Sequence, residues 1–299
     1  METILSINQL SKRYGRIQAV NQLSLEVKKG QVFGILGPNG SGKTTTLGMV
    51  LDLIRSDSGS YQWFNEKPTK ASRKRIGAVI ETPNFFPYLS ASQNLEIVAL
   101  VKDYTYTDID LVLKTTGLFE RRRDKFKTFS FGMKQRLAVA SSLLNQPEVL
   151  ILDEPTNGLD PQGIAQIRKL IQQVASEGIT IILASHLLDE VQKICSHVAV
   201  LNKGNVLFLG EVHKVLSVSD SIEVASQDNE VLKSVLVQHP SYKSLSETNG
   251  LVLAVFSDSL KPSEINQFLY QKGVILTHLC ERKRTLEQHF LELLQGHLS

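Results

Sequence analysis

The sequence predicts an α/β fold built on a parallel sheet, followed by a small α+β unit. Three observations carry this. Short, wholly apolar runs alternate with stretches of helical periodicity through the first two-thirds of the chain. Residues 149–152 and 179–183 are two such runs separated by a helical stretch at 161–176, a β–α–β unit whose strands must run parallel. A glycine-rich loop at residues 37–44 sits between an apolar run and a helix.

In chain order, residues 4–10 and 23–27 read as strands flanking a polar turn. Lys28-Lys29-Gly30 turns the chain into residues 32–36, an apolar run short enough for a strand buried on both faces. A helix is expected from about residue 43 to 54, and a further strand at 77–80. Residues 84–146 change texture: 90–102, 108–116 and 132–144 have helical spacing, with Gly117 and Pro147 as breakers. This stretch reads as a helical insertion. Past residue 210, segments 222–225, 231–238, 251–256, 264–272 and 274–280 read as β, α, β, α, β. A weaker strand at 242–245 precedes the Thr248-Asn249-Gly250 turn, which makes the order that of a small ferredoxin-like accessory domain. Residues 285–294 add an amphipathic helix. The expected domains are therefore 1–215, with a helical subdomain at about 84–146, and 216–299.

Composition narrows the function classes. Of 299 residues, 42% are hydrophobic and 21% charged, which excludes disordered and collagen-like chains. The net charge of +3 is too mild to argue for nucleic acid by itself. No run approaches the ~20 apolar residues needed to span a bilayer. The first ten residues lack the basic start of a signal peptide. Cys195 and Cys280 stand far apart with no CxxC, which points to a reducing compartment and against a cysteine-rich metal site.

The strongest chemical signal is Gly37-Pro38-Asn39-Gly40-Ser41-Gly42-Lys43-Thr44, which matches G-x-x-x-x-G-K-[ST]. Its glycines let backbone N–H groups face an anion, and the helix N-terminus that follows adds partial positive charge. In this pattern Lys43 reaches the β- and γ-phosphates of a nucleoside triphosphate and Thr44 ligates Mg²⁺; Thr45 lies on the same first turn. The second signal is Val149-Leu150-Ile151-Leu152-Asp153-Glu154, an apolar strand ending in two acids. Asp153 is placed to hold Mg²⁺ and Glu154 to orient an attacking water.

The two motifs together, with Phe129-Ser130-Phe131-Gly132-Met133 between them, resemble the ATP-binding subunit of ABC transporters. Ser130 and Gly132 match that family's signature sequence, while Phe129 and Phe131 depart from its Leu and Gly. The resemblance covers about residues 1–215 and implies a P-loop NTPase core with a mixed sheet and a helical subdomain. It implies that Tyr14 stacks on adenine, that Ser130 and Gly132 contact the nucleotide held by a second copy, and that Asn157-Gly158-Leu159-Asp160 is the D-loop. His186 resembles the switch histidine at the γ-phosphate. Where the family carries a glutamine after the strand leading into the helical insertion, this chain has Glu81, which can still ligate Mg²⁺. That glutamate, with Pro83 and Pro87, resembles the bacitracin-resistance and lantibiotic-immunity branch, which pairs with ABC-2-type membrane subunits.

The implied function is an ATPase subunit that closes head to tail with a second copy of itself around two ATP molecules. It would power export through a separate polytopic permease at the cytoplasmic face of the cell membrane, with antimicrobial peptides or drugs as cargo. The alternative is a soluble ABC-type ATPase acting on ribosomes or DNA; such families carry two cassettes or long coiled coils, and this chain has one P-loop and no sustained heptads. The basic stretches 73–75 and 121–127 lack interleaved aromatics and read as solvated faces, so no nucleic acid is expected.

Overall fold

The computed structural model describes residues 2–81, 84–104, 108–213, 221–257 and 260–282. The chain divides into two compact units, Met1–Gly210 and Glu211–Ser299. The helix expected at 285–294 lies outside the described residues.

The first unit opens with β1 (Thr3–Tyr14) and β2 (Ile17–Lys28), a long antiparallel hairpin. Both strands extend past the apolar runs that mark them in the sequence, because the hairpin turns only at Gly15 and Arg16 and polar residues pair out to Tyr14↔Ile17. After β3 (Val32–Leu36) and α1 (Lys43–Val50), β4 (Ser58–Trp63) pairs with the other edge of β1 to complete a three-stranded sheet. The helix α1 ends four residues sooner than its apolar pattern suggests. Asp52 takes φ +64°, and the N–H groups of Leu53 and Ile54 both fold back to the Gly48 carbonyl at 2.8 and 3.0 Å.

A six-stranded sheet forms the centre. Its members are β3, β5 (Ile76–Val79), β6 (Val149–Asp153), β7 (Thr180–Ser185), β8 (His197–Asn202) and β9 (Asn205–Glu211), in the order β5-β6-β7-β3-β8-β9. The pairs β5/β6, β6/β7, β7/β3 and β3/β8 are parallel. Every residue of β3, β6 and β7 is buried, as expected for strands covered on both faces. One core unites the two sheets around α1, drawing on Ile4, Leu10, Leu23, Phe33, Leu47 and Trp63. Trp63 is fully buried and its indole N–H donates to the Val50 carbonyl at 2.8 Å, so it ties β4 to the end of α1.

Between β5 and β6 the chain is helical. Here α3 (Ala91–Val101) comes first, started by a capping box between Ser90 and Gln93; a short α2 (Lys70–Lys74) lies before β5. Asp108 caps α4 (Ile109–Thr115), and Ser130 caps α5 (Phe131–Leu143). Each helix starts one residue after its polar cap; for α5 this means Phe131, one residue before the Gly132 expected from its spacing. The last two helices of this unit are α6 (Pro161–Ser176) and α7 (Leu188–Gln192).

In the second unit, β10 (Ser221–Ser226), α8 (Asn229–Leu236), β11 (Tyr242–Thr248), β12 (Leu251–Phe256), α9 (Pro262–Gln271) and β13 (Leu276–Arg282) follow one another. The four strands pair antiparallel in the order β11-β12-β10-β13. The core beneath them holds Ile222, Val224, Leu232, Leu236, Phe256, Ile265 and Leu269. Strand β11 runs three residues beyond its weak apolar signal. Asn249 and Gly250 both take positive φ, +54° and +77°, which is the turn chemistry that fixes a tight hairpin and pairs Thr248 with Leu251.

Candidate active site

Four parallel strands deliver the site. Their C-terminal ends carry the glycine-rich loop after β3, Glu81 after β5, Asp153 and Glu154 at the end of β6, and His186 after β7. In open α/β sheets this edge is where ligands bind, because loops there converge between the strands and helix N-termini.

The loop into α1 is built for close backbone approach. Gly42 is the N-cap residue with φ +107°, and a Cβ there would collide with the Ala19 carbonyl oxygen. Gly37 is equally confined, against the Leu201 carbonyl and the Ser41 hydroxyl. Gly40 is the opposite case: it has φ +79°, and a Cβ added there would meet nothing within 4 Å, so its backbone faces open space. No side chain caps α1, which leaves the N–H groups of its first turn at the loop without a side-chain acceptor. Replacing Gly42 with Ala adds both the positive-φ strain and the Ala19 clash. Gly42→Ala is expected to cost about 2 kcal/mol or more of stability, read as a lowered unfolding midpoint in urea.

Lys43 is 5% exposed. Its ammonium donates to the carbonyls of Gly37 at 2.8 Å and Pro38 at 3.2 Å, and lies 3.2 Å from Glu154 Oε1. The other oxygen of Glu154, Oε2, is 2.8 Å from His186 Nδ1 and accepts from the His186 backbone N–H at 3.4 Å. An ionised carboxylate only accepts, so Nδ1 carries the proton and a neutral ring keeps its lone pair on Nε2. Glu154 therefore bridges Lys43 and His186. Its own backbone is left-handed, with φ +48°, while its N–H is held by the Ala184 carbonyl at 2.9 Å. Glu81 is likewise left-handed at φ +59°. Non-glycine residues rarely adopt this region, and it concentrates at functional sites.

Asp153 is buried beside them. Burial pushes its carboxyl above the ordinary aspartate range, the charges of Glu154 and Glu81 push the same way, and the Thr44 hydroxyl and the Lys43 ammonium pull against them. Among the described residues, three buried polar atoms here have no hydrogen-bond partner: Ser41 Oγ, Asp153 Oδ1 and Glu154 Oε1, whose contact with Lys43 is an ion pair only. Unsatisfied buried oxygens on a loop and a strand end fit a bound cation and phosphate oxygens. Among the described residues no group of three or more His, Cys, Asp or Glu gathers as a ready-made metal cage. A magnesium site shared with a triphosphate needs only one or two protein ligands, because phosphate oxygens and water supply the rest.

Two cavities open at the site. Thr44, Glu81, Gln135, Asp153, Glu154 and Asn157 line a space of about 330 Å³. Ser130, Gly132, Arg136, Gly158 and Asp160 line a separate one of about 480 Å³. Ser130 Oγ accepts from Met133 N–H at 3.3 Å, and Asp160 caps α6 through Gly163 N–H at 2.9 Å. Tyr14 stands at the tip of the β1–β2 hairpin, 47% exposed, with Lys12 over its ring at 5.5 Å; it lines neither cavity. Gln135 is the residue that sequence reasoning missed. It is buried and lines the acid cavity one helical turn after Phe131, a spacing that placed it on the same face of α5.

Fold and site together define a P-loop nucleotide hydrolase. The ABC transporter family model matches residues 20–157. The bacitracin transport ATP-binding protein BcrA of Bacillus licheniformis is 36% identical over 99% of this chain and 99% of its own length. The lantibiotic transport ATP-binding protein SrtF of Streptococcus pyogenes is 37% identical over 68% of this chain and 89% of its own. Among solved structures, cbiO1 of Clostridium perfringens, part of the ABC transporter complex cbiONQ, superposes with a TM-score of 0.66 at 31% identity, covering 80% of this chain and 97% of that one. The chain belongs to the ABC transporter family, as a nucleotide-binding ATPase subunit. Among its described residues, no helix is long and apolar enough to cross a membrane.

Proposed function

We propose that this chain hydrolyses MgATP to drive export through a separate polytopic permease. The observation that carries the reading is the chain of contacts Lys43–Glu154–His186 at the ends of parallel strands, with the unpartnered Asp153 oxygen beside it. In this reading the Gly37–Thr45 loop wraps the triphosphate with backbone N–H groups, and Lys43 exchanges its loop carbonyls for phosphate oxygens. Tyr14 stacks on adenine. Thr44, Asp153 and Glu81 would hold Mg²⁺, which would supply positive charge against the triphosphate. Glu154 orients and polarises the attacking water, and His186, whose Nδ1–H faces Glu154, reaches the γ-phosphate as a donor from Nε2–H when its ring carries both protons. Ser130, Gly132 and Asp160 sit in a cavity apart from these groups, which supports their use against the nucleotide of a second copy in a head-to-tail dimer. Loss of the γ-phosphate then removes contacts on both sides and lets the dimer open.

The bacitracin and lantibiotic transport proteins among the relatives favour antimicrobial peptides as cargo, and a position at the cytoplasmic face of the membrane. The antiparallel order β11-β12-β10-β13 with two helices favours a ferredoxin-like accessory domain for residues 216–299. The test is co-purification of the tagged chain from detergent-solubilised membranes. A stoichiometric protein with several membrane spans is the expected result. Ribosomal protein or nucleic acid in its place would overturn the export reading in favour of a soluble ATPase.

A further inference from the structure

The two cavities of this site share one wall. Phe131, the first residue of α5, lines both the 480 Å³ cavity of Ser130 and Asp160 and the 330 Å³ cavity of Thr44, Asp153 and Glu154; among the described residues the two cavities share no other lining residue. The residue is 44% exposed, so it adds little to the hydrophobic core. Its ring rests instead on the chain that leaves Glu154. A Cβ on Gly158 would stand 3.3 Å from Phe131 Cε1 and 3.7 Å from Cζ, so the ring borders Gly158, which has φ +75° and leaves room for it. The turn between is short and closed. Asn157 N–H donates to the Glu154 carbonyl at 3.1 Å, and Leu159 N–H to that of Thr156 at 3.3 Å. The Phe131 ring therefore borders the turn that begins at Glu154.

We infer that Phe131 is a positioning residue for hydrolysis in its own chain: it clamps the 154–158 turn and closes the acid cavity against the cavity beside it. The inference rests on the catalytic reading of Glu154 given above. Glu154 is left-handed, with φ +48°, and its carbonyl accepts from Asn157 N–H within that turn at 3.1 Å. Removing the ring would free that turn and join the two cavities, loosening the wall beside Asp153 and Glu154. A small displacement of a catalytic carboxylate is costly in rate and nearly silent in binding.

The test uses the full chain with Phe131→Ala, Phe131→Leu and Phe131→Tyr, measured by steady-state phosphate release and by calorimetry with ATP. Phe131→Ala is expected to lower kcat about tenfold while KM and ATP affinity stay within about twofold. Phe131→Tyr keeps the ring and is expected to retain kcat; Phe131→Leu keeps apolar bulk without the ring's reach and is expected to fall between. If Phe131→Ala proves unstable to heat, the Leu and Tyr pair carries the comparison. Unchanged kcat in both Ala and Leu variants, or a matching change in KM, overturns the inference. So does loss of an ATP-trapped dimer when Phe131→Ala is added to Glu154→Gln, because the ring would then act between copies. Glu154→Gln alone separates the two readings. If it keeps full turnover, the catalytic assignment falls and the Phe131 inference with it; if it loses turnover while Phe131→Ala does not, only the inference falls.

Discussion

Glu154→Gln is expected to lower ATP turnover at least about a hundredfold while ATP affinity holds or tightens. The amide keeps the volume and can still accept from the His186 ring nitrogen now 2.8 Å away, so the loop geometry survives. What disappears is the negative charge that polarises water. The same charge sits 3.2 Å from the Lys43 ammonium. Without it Lys43 has one competitor fewer and is freer to turn to a phosphate, which is why affinity should not fall. A variant that binds but does not hydrolyse would also accumulate the ATP-bound dimer. Phosphate release, calorimetry and light scattering on the same preparation check all three statements. Undiminished turnover would remove Glu154 from the catalytic role.

Much of this was legible in the sequence, and the reasons differ by residue. The order of apolar runs marked β3, β6 and β7 because strands covered on both faces leave no polar position to blur them. The loop from Gly37 to Thr44 was legible because few sequences satisfy its backbone demands: Gly42 and Gly37 are walled in by carbonyl oxygens. Strands β4, β8 and β9 were not marked. In β4 only Trp63 is fully buried, and in β9 the residues are half-buried or exposed, so neither strand has a period to read. Backbone state was invisible as well. Nothing in the letters of Glu81 and Glu154 announces positive φ, which tertiary contacts impose. The wall formed by Phe131 was also hidden. It depends on Gly158, far along the chain, and a phenylalanine at the start of a helix carries no such information by itself.

The site also shows how one lysine serves two states. Lys43 is a buried cation satisfied by two carbonyls and one carboxylate. Those partners hold the ammonium at the mouth of the loop, so little ordering is left to be done when phosphate arrives. The arrangement also offsets the repulsion among Glu81, Asp153 and Glu154; burial, chiefly, and then the charges of Glu154 and Glu81 raise the Asp153 carboxyl, and Lys43 pulls against them.

Lys43→Ala should therefore weaken ATP binding by about a hundredfold or more, without unfolding the chain. Two effects add. The variant loses charge-assisted hydrogen bonds to the phosphates, worth roughly 1.5–3 kcal/mol each. It also leaves Asp153, Glu154 and Glu81 facing a polyanion with no compensating ammonium, and about 2.7 kcal/mol in total is already a hundredfold in Kd. Stability moves less, because Lys43 gives up bonds to carbonyls that solvent can reach once the side chain is gone. Trp63 makes this separable: it is the single tryptophan of the chain and fully buried, so its fluorescence reports the fold independently of the site. Calorimetry with a non-hydrolysable ATP analogue reads the affinity, and urea titration followed at Trp63 reads the fold. Tight binding in a folded Lys43→Ala variant would contradict the phosphate role of the loop. Arginine is an instructive companion, since Lys43→Arg keeps the charge but places a planar guanidinium in a space where the lysine is 5% exposed and closely bounded by the Gly37 and Pro38 carbonyls. Its binding should fall nearly as far as that of the alanine variant, which would show that the loop selects the shape of the cation as well as its sign.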